Sequence, residues 1–262
     1  MAASDYLNSL FGFSGQVAVV IGGTGVLGGA LCRGLGQAGA EVVVAGRSAE
    51  RGQQRVDELA QLGAKGRFLP VDISQRQSIE QLAAAAREQC GRVDIVVNGA
   101  GVNAASDYFD VSDEDWDHVI DSNLKAVHWG CQIFGKQMAE SGEGSSILNI
   151  ASVTSHLPLS RVFAYSASKA AVINLTQNVA RELAPSGVRV NAISPGFFPA
   201  EQNRKILTEE RTASILRQTP MHRFGEPEEL IGATLLLLSK SAGSFITGAA
   251  YYVDGGFTAM RF

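Results

Sequence analysis

Cysteine is scarce in this chain and shows no pairing. Cys32, Cys90 and Cys131 are odd in number, widely spread and free of any Cys-x-x-Cys motif. That argues against a disulfide framework or a thiolate zinc site and suits a reducing compartment. His118, His128 and His222 lack metal-ligand spacing, so no metal centre is expected. A basic excess is missing too, with 22 Lys and Arg against 26 Asp and Glu and a pI near 5.6. Neither nucleic acid nor an acidic lipid surface is therefore an expected partner. No apolar run approaches the ~18 residues of a membrane span. The opening Met1 to Leu10 has no basic segment before an apolar core, so it does not read as a secretory signal. The expectation is a soluble cytoplasmic protein.

Glycine, by contrast, is abundant, with 29 residues, several of them where strand-to-helix turns need them. Apolar content of 45% and charged content of 18% describe an ordinary globule. At 262 residues the chain suits one large α/β domain rather than two. Continuous Val/Ile-rich runs predict strands at Val17–Ile21, Val42–Ala45, Arg67–Val71, Ile95–Asn98, Ser146–Ile150, Val188–Ile193 and Ala250–Val253. Runs without polar alternation fit a parallel sheet buried on both faces. Helical patterns alternate with them at Leu27–Ala38, Ala49–Leu62, Ser78–Gln89, Asp113–Glu140, Tyr165–Leu183 and Pro227–Ser239. This order predicts right-handed crossovers and a doubly wound sheet. Residues 1–14 read as a short N-terminal arm.

After the first expected strand comes Ile21-Gly22-Gly23-Thr24-Gly25-Val26-Leu27-Gly28, opening onto a helix. Glycines there let the backbone approach a pyrophosphate, whose charge then sits at the helix N-terminus. The turn could be glycine-rich for steric reasons alone. Its place in the first βαβ unit favours a dinucleotide. The second strand ends in Ala45-Gly46-Arg47-Ser48, where an NAD site usually carries an acid. A guanidinium suits a 2′-phosphate instead. NADP(H) is thus the expected cofactor, with NAD(H) the alternative if Arg47 is a solvated surface residue.

Tyr165 precedes Lys169 by four residues and follows Ser152 by thirteen. An i, i+4 spacing puts phenol and ammonium on one helix face. A free phenol titrates near ~10. A neighbouring cation favours the phenolate and moves Tyr165 toward a useful acid/base range.

With these pieces in register, the sequence resembles the short-chain dehydrogenase/reductase family over essentially its full length. The matching motifs are Gly22-x-x-x-Val26-Leu27-Gly28, Asp72, Asn98-Gly99-Ala100-Gly101, Asn123, Ser152, Tyr165-x-x-x-Lys169 and Pro195-Gly196. The resemblance implies a single Rossmann-type domain with a seven-stranded parallel sheet and helices on both faces. It implies Tyr165 as general acid/base, with Lys169 lowering its pKa and binding the nicotinamide ribose. Ser152 would orient the substrate oxygen, and Asn123 would hold a water in the proton relay. Gly22, Thr24, Gly25, Val26, Leu27 and Gly28 would face the pyrophosphate. Asp72 and Ile73 would approach the adenine, Asn98, Ala100 and Gly101 the adenosine ribose, and Pro195, Gly196 and Phe198 the nicotinamide. The sequence departs from the family at Ile21, Val26, Gly99 and Ala200, none of which touches Ser152, Tyr165 or Lys169.

Pro158 to Tyr165 and Pro195 to Arg204 carry a narrower likeness, to the D-mannonate oxidoreductase (fructuronate reductase) branch. It implies a keto acid such as D-fructuronate. Its carboxylate would be read by Arg161 or Arg204, with His156 reaching a sugar hydroxyl or serving as an ordinary loop residue. The region of about 197–220 reads as a substrate lid, with a solvated helix as the alternative for its charged part. Phe197 and Phe198 either cover the nicotinamide or pack the loop. A homotetramer is expected through the helices Asp113–Glu140 and Tyr165–Leu183. A broad carbonyl or 3-oxoacyl reductase is the second reading. A non-catalytic dinucleotide sensor would have no reason to keep Ser152, Tyr165 and Lys169 together.

Overall fold

The computed structural model describes residues 2–198 and 208–259. The Val/Ile-rich runs form β1 (Val17–Ile21), β2 (Glu41–Gly46), β3 (Gly66–Pro70), β4 (Ile95–Asn98), β5 (Ser145–Ile150), β6 (Val188–Pro195) and β7 (Ala250–Val253). All pair in parallel in the order β3-β2-β1-β4-β5-β6-β7. Successive strand residues face opposite ways, so each strand feeds two cores. Val17, Val19 and Ile21 join one core with residues of α4 (Arg76–Cys90), α6 (Ala126–Ser141) and α7 (Phe163–Leu183). Ala18 and Val20 join the other with α2 (Val26–Gln37), α3 (Ala49–Gln61) and α9 (Ile231–Leu238). This is the single Rossmann-type domain expected. The strand order reverses between β1 and β4, which opens a crevice at the carboxyl ends of the strands.

The opposite end of the sheet is tied by a buried charge. Asp94 accepts the Val17 amide at 2.9 Å, a pair of bonds from Arg92, and the Lys240 ammonium at 3.1 Å. Burial raises its pKa, but these partners outweigh burial and hold the carboxyl below its usual range.

Three segments differ from expectation. The N-terminal arm contains a helix, α1 (Ala3–Phe11). The single helix expected over Asp113–Glu140 is α5 (Asp113–Ile120), a π-helical turn at Asp121–Lys125, and then α6. Within the expected lid, residues 199–207 lie outside the described residues. Glu209–Gln218 form α8, capped by the Thr208 hydroxyl, which accepts the Arg211 amide at 3.2 Å.

Candidate active site

The glycine loop is built by close approach. Gly22 has φ +89°, and a Cβ on it would meet Ala100 N at 2.7 Å. Gly22 and Gly23 donate to the Ala45 carbonyl at 2.9 and 3.1 Å, which pins the loop to β2. A Cβ on Gly28 would lie 2.2 Å from the Gly22 carbonyl, so only glycine lets α2 back onto the loop. Val26 is the first residue of α2 and Gly25 its cap, so the absent family glycine falls where helical backbone suits any residue. Leu27 lies beside it in the first turn. The cradle thus fits a pyrophosphate at a helix N-terminus.

Arg47 is exposed at the end of β2, and Thr24 packs onto Gly46 beside it. Asp72 follows β3 and accepts the Ser74 amide at 3.0 Å, the Ser74 hydroxyl at 2.8 Å and the Gln75 side chain at 3.1 Å. The Ser74 bonds hold its carboxyl below the usual range, with Gln75 and the nearby Arg47 charge adding smaller pulls. Ile73, Ile21, Ala100 and Ala126 line a small apolar recess. Asn98 lines the same recess, with its side chain donating to Asn149 Oδ1 at 2.8 Å. The side chain of Phe198 is likewise occupied, packing against Gly225 and the α2 side of the core. Phe197 sits edge-on to Phe257, 5.0 Å between ring centres. Both aromatics pack within the loop and also line a cavity beside Tyr252. Gly196 is required by β7, since a Cβ there would meet Asp254 Cα at 2.7 Å, and its amide donates to the Val253 carbonyl at 2.9 Å. Pro195 closes β6 just before it.

Ser152, Tyr165, Lys169 and Asn123 converge at the ends of β4 and β5. The Ser152 hydroxyl accepts the Thr154 amide at 3.2 Å and lies beside the Tyr165 phenol. Lys169 donates to the Ile150 carbonyl at 2.7 Å, and its Nζ stands 5.7 Å from the centre of the Tyr165 ring. Gly101 closes the site from β4, where a Cβ would meet Asn123 Oδ1 at 3.0 Å and Lys169 Nζ at 3.5 Å. Asn123 sits in the π-helical turn, accepts the Val102 amide at 2.8 Å, and donates to the Val102 carbonyl at 2.9 Å and Ser168 Oγ at 3.2 Å. Ser168 donates to the Tyr165 carbonyl at 2.7 Å. Here the expectation of a lowered tyrosine needs correction. Among the protein's own groups, burial dominates and pushes the Tyr165 phenol up, with the neighbouring Ser152 hydroxyl opposing it. Burial also pushes Lys169 down to about 8, because the ammonium loses water and has no carboxylate partner among the described residues.

On the substrate side, Arg161 is engaged with a neighbouring loop. It has φ +70°, is 54% exposed and pairs with Asp107 at 3.4 Å. Arg204 lies outside the described residues. His156 is exposed and meets Tyr252 of β7 edge-on at 5.1 Å. Tyr252 also lines a cavity of about 350 Å³ with Phe197, Met221, Arg223 and Phe224. Among the described residues no cluster suits a metal ion, and no helix is long and apolar enough to cross a membrane.

The family model described as enoyl-(acyl carrier protein) reductase matches residues 25–258. The chain belongs to the short-chain dehydrogenase/reductase family. It is an oxidoreductase of the class acting on CH–OH groups. It is 36% identical to an uncharacterized oxidoreductase of Bacillus subtilis over 94% of this chain and 96% of that one. It is 33% identical to the 5-keto-D-gluconate 5-reductase of Escherichia coli K12 over 95% and 98% of the two chains. A crystal structure of a putative 2-deoxy-D-gluconate 3-dehydrogenase from Agrobacterium tumefaciens, with bound NADP, superposes with a TM-score of 0.88. That protein is 35% identical, with 95% of this chain and 99% of that one covered. The relatives named here for a substrate are named for gluconate-type compounds rather than for mannonate.

This dehydrogenase/reductase also has residues at the site that its sequence does not announce. Ser168 lies between Asn123 and the Tyr165 backbone, Tyr252 braces His156, and Arg211 of α8 reaches the Ser160 carbonyl at 3.5 Å. Ser168 is within the Tyr-x-x-x-Lys motif and could have been singled out by its place one turn from Tyr165. Arg211 falls in the charged part of the expected lid and Tyr252 just before Asp254-Gly255-Gly256, but the sequence alone does not say where either side chain goes.

Proposed function

We propose that the enzyme interconverts a ketone and a secondary alcohol on a sugar acid, using NADP(H). The observation that carries this reading is the convergence of Ser152, Tyr165 and Lys169 beside a glycine cradle whose second strand ends in Arg47. The gluconate-type names of the relatives and the NADP of the solved neighbour support the substrate class and the cofactor. Bound NADPH would supply the hydride for the carbonyl carbon. In that direction the Tyr165 phenol gives its proton to the carbonyl oxygen, while the Ser152 hydroxyl donates a bond that stabilises developing charge. Lys169 keeps a positive charge beside the phenol, and Asn123 holds the relay segment through Val102 and Ser168.

On the cofactor, Gly22, Thr24, Gly25, Val26, Leu27 and Gly28 take the pyrophosphate and Arg47 the 2′-phosphate. Asp72 and Ile73 border the adenine. The backbone of Asn98, Ala100 and Gly101 follows the adenosine ribose, and Pro195, Gly196 and the Phe198 backbone border the nicotinamide. In this reading D-fructuronate, suggested by the loop segments, is one member of the keto-acid class, alongside 5-keto-D-gluconate. A homotetramer in the cytoplasm completes it. Trp116 at 39% exposure, Phe245 at 102% and Tyr251 at 44% are apolar surface that subunit contacts would cover.

The test is NADPH consumption with 5-keto-D-gluconate, D-fructuronate, tagaturonate and uncharged ketoses side by side. Keto acids should be the better substrates. Equal or better activity on the uncharged set would leave the broad carbonyl reductase reading. One observation favours that second reading: the cavity beside Tyr252 has aromatic walls.

A further inference from the structure

We infer that Arg211 of α8 is the residue that reads the substrate's carboxylate, an inference that rests on the sugar-acid reading above. The loop from Ser152 to Tyr165 begins and ends at the two hydroxyls proposed to handle the reacting oxygen. Arg211 is half-buried against the middle of that loop, with one bond at 3.5 Å to the Ser160 carbonyl. A guanidinium has five N–H donors, so most of its capacity is unspent. Among the described residues no carboxylate lies within ion-pair distance of it. Glu209 and Glu210 precede it on α8 but are exposed and make no such pair.

The other partly buried arginines are committed. Arg33 and Arg55 pair with Glu58, Arg67 with Glu41, and buried Arg189 donates to four carbonyl oxygens. Arg161, the residue the sequence pointed to, is held by Asp107. Its backbone is held as well: Ser106 donates to the Arg161 carbonyl at 3.1 Å, and the left-handed φ orients the peptide whose oxygen Arg211 meets. Arg161 therefore shapes the loop, and among the described residues that touch it Arg211 carries an unpaired charge. A half-desolvated cation without an anion is unfavourable until one arrives. A carboxylate matches its planar fork with two parallel bonds. A neutral sugar offers no such pair, so discrimination for acids over uncharged ketoses follows from this one side chain.

The experiment measures kcat/KM for 5-keto-D-gluconate and for L-sorbose with NADPH, in wild type and in Arg211→Gln, Arg211→Lys, Arg161→Gln and Arg217→Gln. Arg217 is an exposed arginine of the same helix and serves as the control. The acid-to-ketose ratio should fall by at least about 30-fold in Arg211→Gln, the scale of one charge-assisted bidentate contact. The loss should fall mainly in KM for the acid. Arg211→Lys should recover part of it, and Arg217→Gln none of the loss should affect. Raising salt should weaken acid binding in wild type and lose that effect in Arg211→Gln. A wild-type ratio retained in Arg211→Gln, with keto acids still preferred, overturns the role of Arg211 and leaves the sugar-acid reading standing. A collapse in Arg161→Gln alone moves the role to Arg161 and overturns it equally. A wild type indifferent to the charge removes the sugar-acid reading and this inference together.

Discussion

Lys169 donates its ammonium to the Ile150 carbonyl at 2.7 Å while standing 5.7 Å from the centre of the Tyr165 ring. One carbonyl at the end of β5 thus fixes the cation beside the phenol, and burial brings its pKa down to about 8. Since the charged form is the one lost as pH rises, the support it gives Tyr165 fades above that value. The kcat/KM for ketone reduction should decline above about pH 8. A profile flat through the alkaline range would mean that Lys169 keeps its proton throughout.

Tyr165→Phe removes the proton donor and keeps the ring that packs beside Lys169. Turnover should drop below about a tenth of wild type, a barrier increase above about 1.4 kcal/mol, with NADPH binding nearly intact. Steady-state rates and a fluorescence titration of NADPH measure the two separately. Retained turnover would rule out proton transfer by this phenol.

Cofactor choice should follow Arg47. NADPH should be preferred over NADH by roughly 10- to 100-fold, the scale of one charge-assisted phosphate contact. Arg47→Ala should remove that preference by weakening NADPH alone. Introducing an acid at Gly46 is a poor route to NADH, because a Cβ there meets Thr24 Oγ1 at 2.6 Å. Gly46→Asp should weaken both cofactors unless Thr24 is also reduced in size. Equal kcat/KM for the two cofactors in wild type would refute the Arg47 assignment.

Asn123→Ala should cost stability as well as rate. It leaves the Val102 amide and carbonyl without their partners and takes a bond from Ser168. Orphaned backbone groups of this kind cost about 1–3 kcal/mol in total where part of the segment reaches water. Urea unfolding should show the loss, and an unchanged midpoint would mean that the segment finds other partners.

Most of the fold was legible because periodicity and glycine placement are local. Val17–Ile21 is apolar without interruption since both faces of β1 are covered, and Tyr165 with Lys169 shares a helix face by spacing alone. Side-chain direction was not legible. Asn98 reads as a crevice residue, and only the fold supplies Asn149 of β5 as its buried partner. Phe198 could be read as a ring cover or as loop packing, and only the fold shows that it packs against Gly225. Arg161 gives no sign of its pairing because Asp107, its partner, belongs to a loop distant in sequence. Tyr165 was expected to be lowered by a cation, yet how much water it loses depends on the assembled site.

The π-helical turn at Asp121–Lys125 changes the phase of a rod that would otherwise run unbroken from Asp113 to Ser141. One added residue amounts to about 100° of helical rotation. The apolar stripe of α5 and that of α6 therefore need not align, which lets Val119 and Phe134 each reach the interior from a differently turned cylinder. Removing a single residue from the turn would restore regular hydrogen bonding and swing Trp116 about a quarter of a turn around the axis relative to α6. Length variation in this rod is thus a matter of angle as much as of extent. A one-residue gap here in a descendant of this chain would rewrite an external face of the molecule while leaving every strand untouched.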